Sequence, residues 1–125
     1  MNVPAALHVL VVDDDPIYLE LVERSLRGQG LTVTTSDSSL GVSNMIRRIS
    51  PDVVLLDVNI PALSGDALIV LARKSAPEKT RFVLFSSSDE SSLRKTASQC
   101  GADGYVTKSA DSNALASYLV RIARR

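Results

Sequence analysis

Apolar residues in this chain alternate between two kinds of segment, short continuous runs and longer stripes that recur every three or four positions. The runs fall within residues 7–12, 31–35, 53–57, 82–86 and 104–107 and are rich in the branched and aromatic side chains that suit strands. A helical pattern follows each of them. After the first run, Asp15 is placed as an N-cap and Pro16 at the first helical position, and Ile17, Leu21, Val22 and Leu26 read as one face ending near Gly28–Gly30. Val42, Met45, Ile46 and Ile49 give a second stripe, closed by Pro51, because a proline disfavours helix in the residue before it. Ala67, Leu68, Leu71 and Ala72 form the third stripe, and Leu93, Ala97 and Cys100 the fourth. The fifth is Leu115, Leu119 and Ile122, opened by Asp111 as a cap.

Strict alternation of strand and helix implies parallel strands joined by right-handed crossovers, hence an α/β fold with an open sheet and helices on both faces. Only the second run alternates polar and apolar positions, with Thr32 and Thr34 flanking Val33, which marks it as an edge strand. Five strands with the second at an edge suit the order 2-1-3-4-5, the flavodoxin-like arrangement, whose switch point lies between strands one and three. At 125 residues, 45% hydrophobic and 22% charged, residues 1–125 read as a single domain. Fourteen basic and fourteen acidic residues cancel, so no net field favours direct binding to nucleic acid or to an anionic membrane. Cys100, the one cysteine, excludes an intramolecular disulfide and reads, like His8, as a core residue. No apolar run is long enough to span a bilayer, and Met1–Leu7 lacks the pattern of a secretory signal, so the expectation is a cytoplasmic chain.

Ligands of such sheets bind outside the carboxyl ends of the strands at the switch point, so the strand endings carry the chemistry. Strand one runs into Asp13, Asp14 and Asp15, strand three into Asp57, strand four into Ser86 and strand five into Lys108. Asp15, ahead of Pro16, serves as the helix cap, but one cap does not need three acids. Carboxylates brought together raise one another's pKa unless a cation compensates, and Mg2+ takes one or two carboxylates, filling its octahedron with water and phosphate oxygens. Lys108 adds a mobile positive charge and Ser86 a hydroxyl donor. Phosphoryl transfer needs mainly positioning and charge neutralisation, and an aspartate nucleophile accounts for Asp57.

Four stretches resemble the receiver domains of bacterial response regulators: Val11–Asp15, Asp57–Gly65, Phe82–Ser87 and Gly101–Lys108. The resemblance covers nearly the whole chain. It implies a CheY-like receiver of two-component signalling in which Asp57 is the phospho-acceptor. It further implies that Asp14 and Asp57 bind Mg2+ directly with the backbone carbonyl of Asn59, while Asp13 acts through water. Ser86 and Lys108 would contact the phosphoryl group, Ser86 and Tyr105 would be the switch residues, and Asn59 and Ser88 would set phosphate lifetime. The partners implied are a sensor histidine kinase or phosphotransfer protein, and an output protein or domain on the face made by the fourth helix, fifth strand and fifth helix. Whether that face forms a homodimer is left open. Two departures stand out: Asn59 replaces a common methionine, and Ser109 replaces the proline that usually follows the lysine, so a trans Lys108–Ser109 bond is expected. Lys108-Ser109-Ala110 is similar to the same stretch in receivers joined to helix-turn-helix DNA-binding domains.

Two other readings fit part of the sequence. Asp13-Asp14-Asp15-Pro16-Ile17 nearly fits the nucleophile motif of haloacid-dehalogenase-like phosphatases, but such enzymes need a late acidic pair where this chain has Lys108, and Asp57 would have no role. A pseudo-receiver, binding partners without phosphorylation, has no use for an intact Asp14, Asp57 and Lys108. The reading is therefore a signalling phospho-acceptor rather than an enzyme acting on external substrates.

Overall fold

The computed structural model describes residues 7–59 and 64–125. Five strands and five helices alternate: β1 (His8–Val12), α1 (Pro16–Gly28), β2 (Thr32–Ser36), α2 (Val42–Ile49), β3 (Val53–Asp57), α3 (Gly65–Arg73), β4 (Arg81–Ser86), α4 (Glu90–Cys100), β5 (Gly104–Thr107) and α5 (Ser112–Ala123). All pairings are parallel, in the order β2-β1-β3-β4-β5, so the flavodoxin-like sheet and its switch point between β1 and β3 are as expected. The second strand lies one residue later than the apolar run indicated, because Leu31 ends the turn after α1 by donating its N–H to the Leu26 carbonyl.

The period of two along the strands sends alternate side chains into two cores. Val9, Val11, Val53, Leu55, Val83 and Phe85 pack beneath α1 and α5, whereas Leu10, Val12, Val54, Leu56, Phe82 and Leu84 pack beneath α2, α3 and α4. β3 is buried at every position, as a central strand covered on both faces must be.

Two helical faces differ from the sequence reading. In α1 the buried residues are Leu19, Val22 and Leu26, while Ile17 and Leu21 point to solvent. At 3.6 residues per turn the buried three fall within an arc of about 60°, and the Asp15 cap, accepting the N–H groups of Ile17 and Tyr18, fixes which arc meets the sheet. In α3, Leu71 is exposed and Ile69 is buried with Leu68 and Ala72, because the helix turns this side toward β4 and α4. The other stripes hold. Asp111 caps α5 as expected, and Ser50, in the left-handed region, ends α2 ahead of Pro51. Cys100 is half-buried against the second core.

Two glycines permit close approaches that the site depends on. A Cβ on Gly65 would lie 2.4 Å from the carbonyl oxygen of Asp57, so only glycine lets the start of α3 pass this close to the end of β3. A Cβ on Gly104 would meet the Tyr118 hydroxyl, which reaches over the free edge of β5 and accepts the Tyr105 N–H at 3.1 Å. No helix among the described residues is long and apolar enough to cross a membrane.

Asp103, in the turn before β5, joins three elements. Its carboxylate accepts the buried Phe82 N–H at 2.8 Å and the Arg73 guanidinium at 3.0 Å, while the guanidinium covers the Phe82 ring and reaches the Gly101 carbonyl. The exposed ion pair contributes little, but an orphaned strand N–H costs about 1–3 kcal/mol. Asp103→Ala should therefore lose about 1–3 kcal/mol in urea unfolding, and Asp103→Asn, which keeps an acceptor oxygen, distinctly less. Equal losses in the two variants would disprove the assignment.

Candidate functional site

The site is built by register. Val12 of β1 lies opposite Leu56 of β3, so the next residues, Asp13 and Asp57, leave the sheet side by side at the switch point. Oxygens of Asp13, Asp14 and Asp57 all lie within 4.8 Å of one another. Asp13 and Asp57 are buried, whereas Asp14 is exposed.

The two buried carboxylates are held from behind by backbone. Asp13 accepts the Asp15 N–H at 3.0 Å, and Asp57 accepts the Asn59 N–H at 3.1 Å. Lys108 closes the cluster. Its Nζ donates to Asp13 at 2.7 Å and to Asp57 at 3.5 Å. The backbone at Lys108 is set by its own N–H, which donates to the Ser86 carbonyl at 2.8 Å and extends the β4–β5 ladder by one residue. No cis peptide bond occurs among the described residues, so Lys108–Ser109 is trans as expected, and Lys108 still reaches both acids.

The electrostatics follow from this crowding. Burial pushes the Asp57 carboxyl above the usual carboxylate range, the Asn59 N–H opposes the rise, the Asp13 charge adds to it and Lys108 opposes it. For Lys108, burial works against the ammonium, but the hydrogen bond to Asp13 and the charges of both acids outweigh it and leave the group above its ordinary value. One ammonium thus faces several carboxylates and leaves excess negative charge. The donor set, all oxygen and partly open to solvent through Asp14, fits a hard divalent cation better than a soft one.

Ser86 and Tyr105 stand apart from this cluster. Ser86 is fully buried at the end of β4, donates its hydroxyl to Ser88 Oγ at 2.9 Å and accepts the Ser88 N–H at 3.0 Å. The Tyr105 hydroxyl accepts from Arg94 Nε at 2.9 Å, and Arg94 also pairs with Glu90 on α4. Asn59 and Ser88 are exposed. Residues 60–63 of the Asp57–Gly65 stretch lie outside the described residues.

Sequence reasoning missed Tyr18 and Phe85. The Tyr18 ring lies 4.4 Å from Lys108 Nζ and packs against Phe85 at 5.6 Å between ring centroids. Its hydroxyl donates to the Lys108 carbonyl at 3.2 Å. Burial raises the phenol pKa, so it remains a donor at neutral pH. The one available signal was its place in the first turn after the Asp15 cap, which faces the strand ends.

The fold and site define a receiver, and the comparisons agree. The chain belongs to the response regulator receiver domain family, whose model matches residues 9–120. It is 37% identical over 100 residues to the probable transcriptional regulatory protein TcrX of Mycobacterium tuberculosis, covering 80% of this chain and 42% of that protein. With the transcriptional regulatory protein CseB of Streptomyces avermitilis it shares 34% over 119 residues, 94% of this chain and 49% of that one. The chain thus spans about half the length of the curated relatives it matches. Among solved structures, the signal receiver domain of the putative response regulator NarL from Mycobacterium tuberculosis superposes with a TM-score of 0.85 at 30% identity, covering 97% of this chain and 98% of that one. None of these relatives favours a phosphatase.

The raised pKa of Asp57 has a consequence for stability. Because the folded protein holds this proton more tightly than the unfolded chain, the ionised form destabilises the fold wherever the pH exceeds the folded pKa. Asp57→Asn, which cannot ionise, should melt at a higher temperature than wild type at pH 7 in EDTA. That advantage should vanish as the pH falls below the ordinary carboxylate pKa, where both side chains are neutral. Calorimetry across pH reads both effects, and a variant less stable at pH 7 would contradict the assignment.

Proposed function

We propose that residues 1–125 form one phosphorylatable receiver, acting alone or as the receiver portion of a longer protein, and that Asp57 is its phospho-acceptor. The observation that carries this reading is the convergence of three carboxylates and one ammonium at the switch point. A carboxylate oxygen of Asp57 attacks the phosphorus of a phosphohistidine on a sensor kinase or phosphotransfer protein, or of a small acyl phosphate. A new P–O bond forms while the donor's P–N or P–O bond breaks, and the donor's imidazole or carboxylate departs with the bonding pair.

Asp14, Asp57 and the Asn59 backbone carbonyl would hold Mg2+, with Asp13 reaching it through water, and the bound ion would supply positive charge for the transferring oxygens. Lys108 moves from its present pairing toward the new phosphoryl oxygens, carrying its charge only the short distance from Asp57. Ser86 exchanges its Ser88 partner for the phosphoryl group. Tyr105 exchanges its Arg94 partner for the space that Ser86 vacates, and the α4–β5–α5 surface is remodelled for the output partner. Catalysis is confined to the chain's own phosphorylation and dephosphorylation, and the site of action is the cytoplasm.

Incubation with acetyl phosphate and Mg2+ should give a labile phosphoryl adduct by mass spectrometry, located on Asp57 and abolished in Asp57→Asn. An adduct on Asp13 or Asp14 would overturn the assignment. Asp14→Asn should weaken Mg2+ binding and slow labelling at least about tenfold, or about 1.4 kcal/mol. Asn59 and Ser88 are small and polar and neither block an attacking water nor supply a strong acid or base, so the adduct should decay over minutes after the donor is removed. Substitutions at both positions should change that decay rate, and an unchanged rate would exclude them from its control.

A further inference from the structure

The lysine is the part of the site with the least built-in order. A lysine side chain has many rotamers to lose, and its ammonium is a point charge that any nearby oxygen can satisfy. With Asp13 at 2.7 Å and Asp57 at 3.5 Å, simple attraction would let Lys108 settle on Asp13 alone, away from the acceptor. Its backbone, followed by Ser109, has none of the φ restriction that a proline imposes. The Lys108 N–H is held by the Ser86 carbonyl at 2.8 Å, and the loop is tied by the Ala110 N–H to the Thr107 carbonyl at 3.1 Å and by the Thr107 and Ser109 hydroxyls at 2.8 Å, but none of these bonds acts on the Lys108 carbonyl or side chain.

We propose that Tyr18 is a positioning residue for Lys108, holding the backbone with its hydroxyl and the ammonium with its ring, an inference that rests on the phospho-acceptor reading above. Both contacts come from one side chain. The hydroxyl donates to the Lys108 carbonyl at 3.2 Å, and the ring centroid lies 4.4 Å from Nζ. Phe85 backs the arrangement with its ring 5.6 Å from Tyr18 and 5.5 Å from the ammonium, so the lysine is bounded by an aromatic wall on one side and by carboxylates on the other. The ring faces attract the cation, the Tyr18 hydroxyl being engaged with the Lys108 carbonyl, and the wall removes side-chain conformations that lead away from Asp57.

The wall is placed by the acidic motif itself. Asp15 accepts the Tyr18 N–H at 3.3 Å as part of the α1 cap, so the segment that supplies Asp13 and Asp14 also aims the aromatic at the lysine arriving from β5. Tyr18 touches none of the three carboxylates through a hydrogen bond of its own. Its effect on phosphorylation therefore passes through Lys108 and leaves the cation site intact.

Labelling by acetyl phosphate is measured for wild type, Tyr18→Phe and Tyr18→Leu, each with and without Lys108→Ala, alongside Mg2+ titration and thermal melting. Tyr18→Leu should slow labelling about tenfold and Tyr18→Phe, which keeps the ring, about threefold, with the Mg2+ midpoint unchanged in both. In the Lys108→Ala background Tyr18→Leu should cause no further slowing, since the residue it positions is gone. The same loss with and without Lys108 would overturn the proposal, as would a shifted Mg2+ midpoint. Proton NMR supplies a readout that does not depend on phosphorylation: the Lys108 ε-methylene signals should be displaced by the Tyr18 ring current in wild type and Tyr18→Phe, and return to ordinary values in Tyr18→Leu. Unshifted wild-type signals would refute the placement, whereas shifted signals in a protein that takes no phosphoryl group would refute the phospho-acceptor reading and leave the placement standing.

Discussion

Everything at the carboxyl end of this sheet is organised around the repulsion between Asp13 and Asp57, two buried acids that the β1–β3 register sets side by side. Taking one carboxylate out of water is costly, and a second like charge beside it adds to the cost. The protein meets this with backbone N–H groups at Asp15 and Asn59 and with a single ammonium from the far side of the molecule. Those contacts leave the charge unbalanced. The remaining mismatch is what a hard cation relieves, and a site left short of positive charge is suited to a ligand that arrives with metal.

That tension is affordable because it sits at one end of a well-packed sheet. Two apolar cores, one under α1 and α5 and the other under α2, α3 and α4, bury nearly every side chain of β1, β3 and β4 and fix those strands tightly. Gly65 lets α3 begin close behind Asp57, and the Asp15 cap starts α1 close behind Asp13. The acids are held by elements that cannot easily retreat from one another.

The opposite rim of the site is built differently. Ser86 and Tyr105 bond to loop and helix groups, Ser88 and Arg94, rather than to the acids. Tyr105 joins three elements, linking β5 through its hydroxyl to Arg94 of α4 and through its main-chain N–H to Tyr118 of α5. These partners are exposed or semi-exposed, in contrast with the buried contacts between Asp13 and Asp57 and their backbone donors.

The sequence by itself determined the order of elements, the parallel sheet, its edge strand and the acids, serine and lysine at the strand ends, because a period of two or of 3.6 and the caps at Asp15 and Asp111 are local properties. It also showed Lys108–Ser109 as trans, since the penalty for a cis bond before serine is local too. Tertiary structure decided which side of a helix faces inward where two apolar arcs compete, as with Ile17 and Leu21 against Leu19, and Leu71 against Ile69. It alone decided the partners of Ser86 and Tyr105. Tyr18 was illegible for the same reason: its role depends on a lysine 90 positions away, brought within 4.4 Å of its ring by a crossover and a register that no short window of sequence contains.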